Sequence, residues 1–161
     1  MLTIVGMVGG YLLSQRRDRS TSSSSSASEP ATAHASPEVS SGPPLLPVEG
    51  ECTEHTQEMA HEAGASGTLS QVLRITTDIG TVVWICQDQA GNLYYHANQG
   101  GEDAKWEEGV TALFIPDMHR QPDGSFQGTA PQDGAIFNLT PERLRIRKKN
   151  GSEKVQEAVP N

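Results

Sequence analysis

The chain has 161 residues, 35% of them apolar, and a formal net charge of −8 at pH 7. That length suits one modest domain, and the low apolar share leaves part of the chain without a core. The negative charge argues against nucleic acid as a partner, because phosphate contacts need cations. Two cysteines allow one bridge, but neither a disulfide scaffold nor a structural zinc site.

Residues 1–19 read MLTIVGMVGGYLLSQRRDR. The apolar run from Leu2 to Leu13 is about twelve residues long, against the roughly twenty that a spanning helix needs. Positive charge comes after the run, the reverse of a secretory signal. We read it as the C-terminal part of a membrane anchor that begins upstream. Gly6 and Gly10 have the spacing that lets two membrane helices approach. Arg16, Arg17 and Arg19 would, by the positive-inside rule, put the downstream chain in the cytoplasm. Residues 20–48 argue the other way. STSSSSSASEPATAHASPEVSSGPPLLP cannot bury a core, and its composition is that of a disordered stalk holding a domain off a surface. The expectation is a domain outside the cytoplasm, with the cytoplasmic placement as the alternative.

Residues 49–68 form an acidic flank. Thr53 can cap a short helix and Gly64 can end it, with Cys52, Met59 and Ala63 on one weak apolar face. His55, Glu58, His61 and Glu62 lie along that helix, but not in the order of a metalloprotease motif. A solvated acidic surface accounts for them, and no metal is expected.

Residues 69–161 change texture. Short runs rich in Val, Ile, Tyr, Phe and Thr recur between Gly, Pro, Asp and Asn: LSQVLRITT, TVVWICQ, LYYHA, VTALFI, SFQGTA, AIFNL, RLRIRKK and SEKVQEAV. In the first of them Leu69, Leu73 and Ile75 alternate with polar residues. Asn150-Gly151 predicts a two-residue type I′ hairpin. About seven to nine short strands at near-regular spacing predict an all-β fold, a small sandwich or barrel.

Within TVVWICQ, Trp84 and Cys86 share one face. The hairpin through DQAG puts Tyr94 opposite Cys86 and His96 near Trp84. A Cys–His nucleophile pair would need a third, orienting residue, and none is visible. A structural disulfide between Cys52 and Cys86 is the expectation. It would close a loop of about 35 residues and be worth roughly 3–4 kcal/mol.

Tyr94, Tyr95 and Trp106 are candidate ligand-binding aromatics, with Asn98 and Gln99 nearby; flat rings beside amides and carboxylates suit a sugar. The alternative for Trp106 is a loop anchor. Glu107 and Glu108 read as solvated loop acids. Arg143, Arg145 and Arg147 share one strand face, with Leu144 and Ile146 on the other. They suit an anionic partner, or the protection of a sheet edge from aggregation. No nucleotide loop, nucleophile elbow or metalloprotease motif occurs, so neither an enzyme nor a cofactor is expected.

VVWICQDQAGNLYYHANQGG, continued by GVTALFIPDM, GSFQGTAP and TPERLRI, resembles a family of uncharacterised actinobacterial extracytoplasmic domains. These come after a membrane segment and a Ser/Pro-rich stalk, sometimes at the C-terminal end of receptor-type serine/threonine kinases. The resemblance covers the β-rich half and carries over no functional residue. It implies a membrane-tethered outside domain of unknown ligand. The first expectation for its role is a non-catalytic binding module for a cell-envelope component such as a wall polymer. An interaction domain of an envelope protein complex, working through the basic strand, is the second expectation. An enzyme with a hidden site is the third.

Overall fold

The computed structural model describes residues 42–160. The expectations for residues 1–19 and 20–41 lie outside them. The elements in chain order are β1 (Gly50–Glu51), α1 (Glu54–Glu62), β2 (Ser70–Thr77), β3 (Thr81–Gln87) and β4 (Leu93–Gln99). Then come β5 (Ala112–Arg120), β6 (Phe126–Thr129), β7 (Ile136–Leu139), β8 (Arg143–Arg147) and β9 (Glu153–Val159). The nine strands form one sheet in sequence order, and β2 also pairs with β9. Strands β2–β9 therefore close into an antiparallel eight-stranded barrel. Of the two architectures the strand pattern allowed, the barrel is the one formed. The first residues of β2 pair with β1 and its last with β9.

The continuous apolar run of β3 has a simple cause. Both of its faces are covered, and every residue from Thr81 to Gln87 is buried. Val83 and Ile85 point into the barrel with Tyr95, Ile115, Phe137, Leu139 and Leu144. Val82, Trp84 and Cys86 point outward into a second cluster with Cys52, Ala60, Leu69, Tyr94 and Phe114. The β3–β4 register pairs Cys86 with Tyr94 and Trp84 with His96, as the hairpin predicted.

Two bulges redirect strands. In β2 the register shifts between Gln71 and Leu73, so Leu69 joins the outer cluster while Leu73 and Ile75 face the barrel interior. The simple alternation expected from Leu69 to Ile75 is thereby broken, because one extra residue reverses the faces. In β5 Leu93 pairs with Met118 and Tyr95 with Ile115, leaving Pro116 and Asp117 opposite Tyr94. Proline has no N–H to give to the ladder, and a bulge is where a strand tolerates it.

The helix starts and stops where its signals lie, with Thr53 as N-cap and Gly64 at φ 93° after the C-cap Ala63. Its buried face is the expected one in part: Cys52 and Met59 pack in the outer cluster. Thr56 and Ala60, one turn apart, face the barrel, while Ala63 is exposed. The Asn150-Gly151 turn also differs. Gly151 N–H donates to Lys148 C=O, Lys148 N–H donates to Ser152 C=O, and Arg147 pairs with Glu153. The loop therefore has five residues, Lys148 to Ser152, and Asn150 Oδ1 accepts from Ser152 N–H within it.

The stalk does not extend to residue 48 as a free chain. Leu46 N–H donates to Gln87 Oε1 at 2.8 Å, and Leu46 packs against the barrel core. Gly91 permits this approach, because a Cβ there would lie 2.5 Å from the Pro43 carbonyl oxygen. Residues 49–68 are likewise part of the barrel unit, through β1, α1 and the cystine described below. Among the described residues no helix is long and apolar enough to cross a membrane.

Candidate functional site

The outer cluster is built around a Cys52–Cys86 disulfide with a Cα–Cα distance of 6.3 Å. The bridge ties the residue before the α1 N-cap to the C-terminal end of β3. Gln57 reinforces it from inside the helix. Its Nε2 donates to Leu69 C=O at 2.9 Å, and its Oε1 accepts from Leu69 N–H at 2.8 Å. Helix, linker and barrel wall are thus joined covalently and by polar contacts.

Beneath the helix lies His96, fully buried. Its Nε2 is 2.7 Å from Glu108 Oε1 and its Nδ1 is 2.9 Å from Thr56 Oγ1. An ionised carboxylate only accepts, so Nε2–H donates to Glu108, and Nδ1 of the neutral ring accepts the Thr56 hydroxyl. Glu108 Oε2 accepts from Phe114 N–H at 2.9 Å. Burial pushes the His96 pKa below its usual value, and the neighbouring Glu108 only partly offsets this. The orienting residue that the sequence did not reveal exists, and it is Glu108. It orients His96 toward Thr56, while Cys86 is spent in the disulfide. Glu107 makes an exposed ion pair with Lys105. Glu108 also meets solvent, as a loop acid should, but it turns one carboxylate oxygen onto His96.

The three candidate aromatics do not share a surface. Tyr95 is inside the barrel, and Tyr94 is buried in the outer cluster. Trp106 folds back as a loop anchor. Its indole N–H donates to Glu102 C=O at 2.9 Å, its ring stacks on His55 at 5.0 Å, and it meets the His96 ring edge-on at 4.7 Å. The reason is local. Trp106 lies in the β4–β5 loop, which Asn98 Nδ2 pins by donating to Gly101 and Ala104 carbonyls. Asn98 is therefore a buried loop support, and Gln99 is exposed.

Asp88 is a second residue with no sequence signal beyond its place in the hairpin. Its Oδ1 accepts from Ala90 and Asn92 N–H, and its Oδ2 from Ser66 N–H, the Asn92 amide and the Tyr94 hydroxyl. Burial alone would raise its pKa, but these donors outweigh it and hold the carboxyl below its ordinary value. Burial and the Asp88 charge together push the Tyr94 hydroxyl up to about 12.

Arg143, Arg145 and Arg147 are exposed on the outer wall, with Leu144 buried between them. Arg145 pairs with Glu153 at 3.3 Å, and Arg143 lies across from Glu157. The edge-protection explanation fails, because β8 is paired with β7 and β9 along its whole length. The face is basic but flanked by carboxylates.

The barrel is open at the ends of β3, β4 and β5. A cavity of about 300 Å³ there is lined by Tyr95, Ala97, Ala112, Ala130, Phe137 and Gln156, among others. Gln156 is 5% exposed, and its Oε1 has no hydrogen-bond partner. A broader groove of about 920 Å³ runs beside Pro43 and Leu46, along β4 and β5. Neither of the unpartnered buried atoms among the described residues, Asn98 Oδ1 and Gln156 Oε1, belongs to a residue lining that groove.

Comparison with protein-family models, with curated proteins and with solved structures finds no match to this chain.

Proposed function

We propose that this chain is a non-catalytic binding module, tethered outside the cytoplasm and directed at a component of the cell envelope. The observation that carries this reading is the Cys52–Cys86 disulfide, which uses both cysteines of the chain and spans 34 positions. Such a bridge belongs to an oxidising compartment. The apolar run Leu2–Leu13, the Ser/Pro-rich stalk and the resemblance to stalk-borne extracytoplasmic domains agree with it. The non-catalytic part rests on access. Thr56, His96 and Glu108 have the residue types of an acid–base relay, but Thr56 and His96 are fully buried beneath α1. Of the three, only Glu108 meets solvent; α1 and the β4–β5 loop together cover Thr56 and His96.

A second reading is an interaction domain for an acidic envelope protein, using Arg143, Arg145 and Arg147. One observation favours it: in a closed barrel these arginines have no edge to protect, so their common exposure needs another use.

Co-sedimentation with envelopes of the cell that makes the protein tests both. Retention at high salt supports the binding module. Release by salt supports the arginine face, since screening at about 1 M reduces exposed charge attraction to a range of ~3 Å. No retention at low salt rejects both.

A further inference from the structure

We infer that the open end of the barrel is a binding site for a compact, uncharged molecule with an apolar body and one amide or hydroxyl group. Strand β9 supplies the first reason. Its sequence EKVQEAV would bury most apolar surface with the valines inward. Instead Val155 and Val159 stand on the outer wall, 42% and 41% exposed, and Gln156 is inside. The register enforces this. Leu144 pairs with Gln156 and Ile146 with Lys154; Leu144 belongs to the barrel core, and half-buried Ile146 packs against it. A slip of one residue would reverse the faces, yet the chain keeps the register that buries a primary amide.

A buried amide without a partner opposes folding. Gln156 Oε1 is in that state. Rotation about the last side-chain torsion, which is broad, turns either the oxygen or the NH₂ toward the cavity. Gln156 therefore complements a group that both donates and accepts, such as an amide or a hydroxyl. Tyr95 lines the same cavity. Its pKa is raised by burial alone, with no hydrogen bond contributing.

Size and charge narrow the ligand. An eight-stranded barrel is just wide enough to be filled by side chains or to hold one small ligand. Here Ala97, Ala112 and Ala130 leave the room. A cavity of about 300 Å³ takes about ten heavy atoms, at ~30 Å³ per water-sized group. Asp133 lines it and no lysine or arginine does, which disfavours an anion. Val110, 71% exposed, also lines the opening and offers apolar surface to the bound molecule. The site depends on the cavity alone and would serve in either compartment.

The test titrates the isotope-labelled full chain with octanamide, n-octanol and octanoate, reading backbone amide shifts by NMR. The neutral probes should give saturable shifts at Tyr95, Leu113, Phe137 and Gln156, and octanoate should bind at least tenfold more weakly. Gln156→Leu removes the orphan amide at little cost in volume. It should keep the fold and weaken octanamide at least tenfold. Ile146→Trp fills the cavity from a half-buried position and serves where Gln156→Leu fails to fold; it should abolish binding. The inference is overturned by no saturable shift with either neutral probe, by shifts confined to other surfaces, or by equal affinity for octanoate. Undiminished octanamide binding in the folded variants overturns it as well.

Discussion

His96 Nε2 lies 2.7 Å from Glu108 Oε1, and this one contact joins the β4–β5 loop to the centre of the outer cluster. The same loop carries Trp106 over the His96 ring and supplies Gly109, Val110 and Thr111 to the barrel cavity. A buried imidazole therefore shares with Asn98 the anchoring of one wall of the cavity.

The part played by the imidazole is testable through pH. Burial lowers the His96 pKa in the folded chain, so the unfolded chain takes up the proton first as pH falls. The contribution of His96 to stability is complete above its unfolded value of about 6.5 and is lost as pH falls through that value toward the folded pKa. Urea midpoints should drop between about pH 7.5 and about pH 5, and the drop should shrink in His96→Gln. An equal drop in both proteins would assign it to other groups. Glu108→Ala leaves both Nε2–H and Phe114 N–H without their acceptor, and should cost about 2–3 kcal/mol. Trp106 fluorescence should shift to longer wavelength in that variant.

The cystine closes 34 positions, and replacing Cys52 and Cys86 together by Ser should cost roughly 3–4 kcal/mol by the loop-closure model. That is a large part of the stability of a small domain. Protein taken from its native compartment without reductant should resist alkylation at both cysteines. Two labelled thiols there would remove the oxidising compartment from the proposed function.

Asp88 collects donors from three segments, so Asp88→Ala strands the Ser66, Ala90 and Asn92 N–H groups. The expected loss is about 3 kcal/mol, read from a denaturation curve. Its pKa is lowered in the folded state, so its contribution is present above about pH 4 and disappears as pH falls through the folded value. This acid loss should be absent in the Asp88→Ala protein, and it lies in a different pH window from that of His96.

Replacing Arg143, Arg145 and Arg147 by Ser should leave the fold nearly unchanged, each exposed site being worth about ±0.5 kcal/mol or less. If these side chains hold an acidic partner, envelope binding weakens and its salt dependence flattens. A collapse of the melting transition would show the arginines to be structural, and unaltered envelope binding would dismiss the second reading of function.

Much of this molecule is legible in its residues alone. Period-two apolar runs separated by turn residues determine a small all-β fold, because a pleated strand shows alternate side chains to one face. Thr53 and Gly64 bracket the helix through cap and left-handed backbone chemistry, both local effects. The pairing of Cys86 with Tyr94 comes from the short hairpin between them, and Cys52 is the one available partner for Cys86. The features beyond local pattern came only with the closed barrel. The bulges in β2 and β5 reassign faces, and neither Gln71-Val72-Leu73 nor Ile115-Pro116-Asp117 announces how the neighbouring strand will be met. Glu108 looks like any loop acid until the β4–β5 loop folds back on His96. Gln156 looks like a solvent-facing residue between two valines. Its burial is set by Leu144 across the ladder and by the joining of β9 to β2, contacts between residues far apart in the chain that no window of sequence contains.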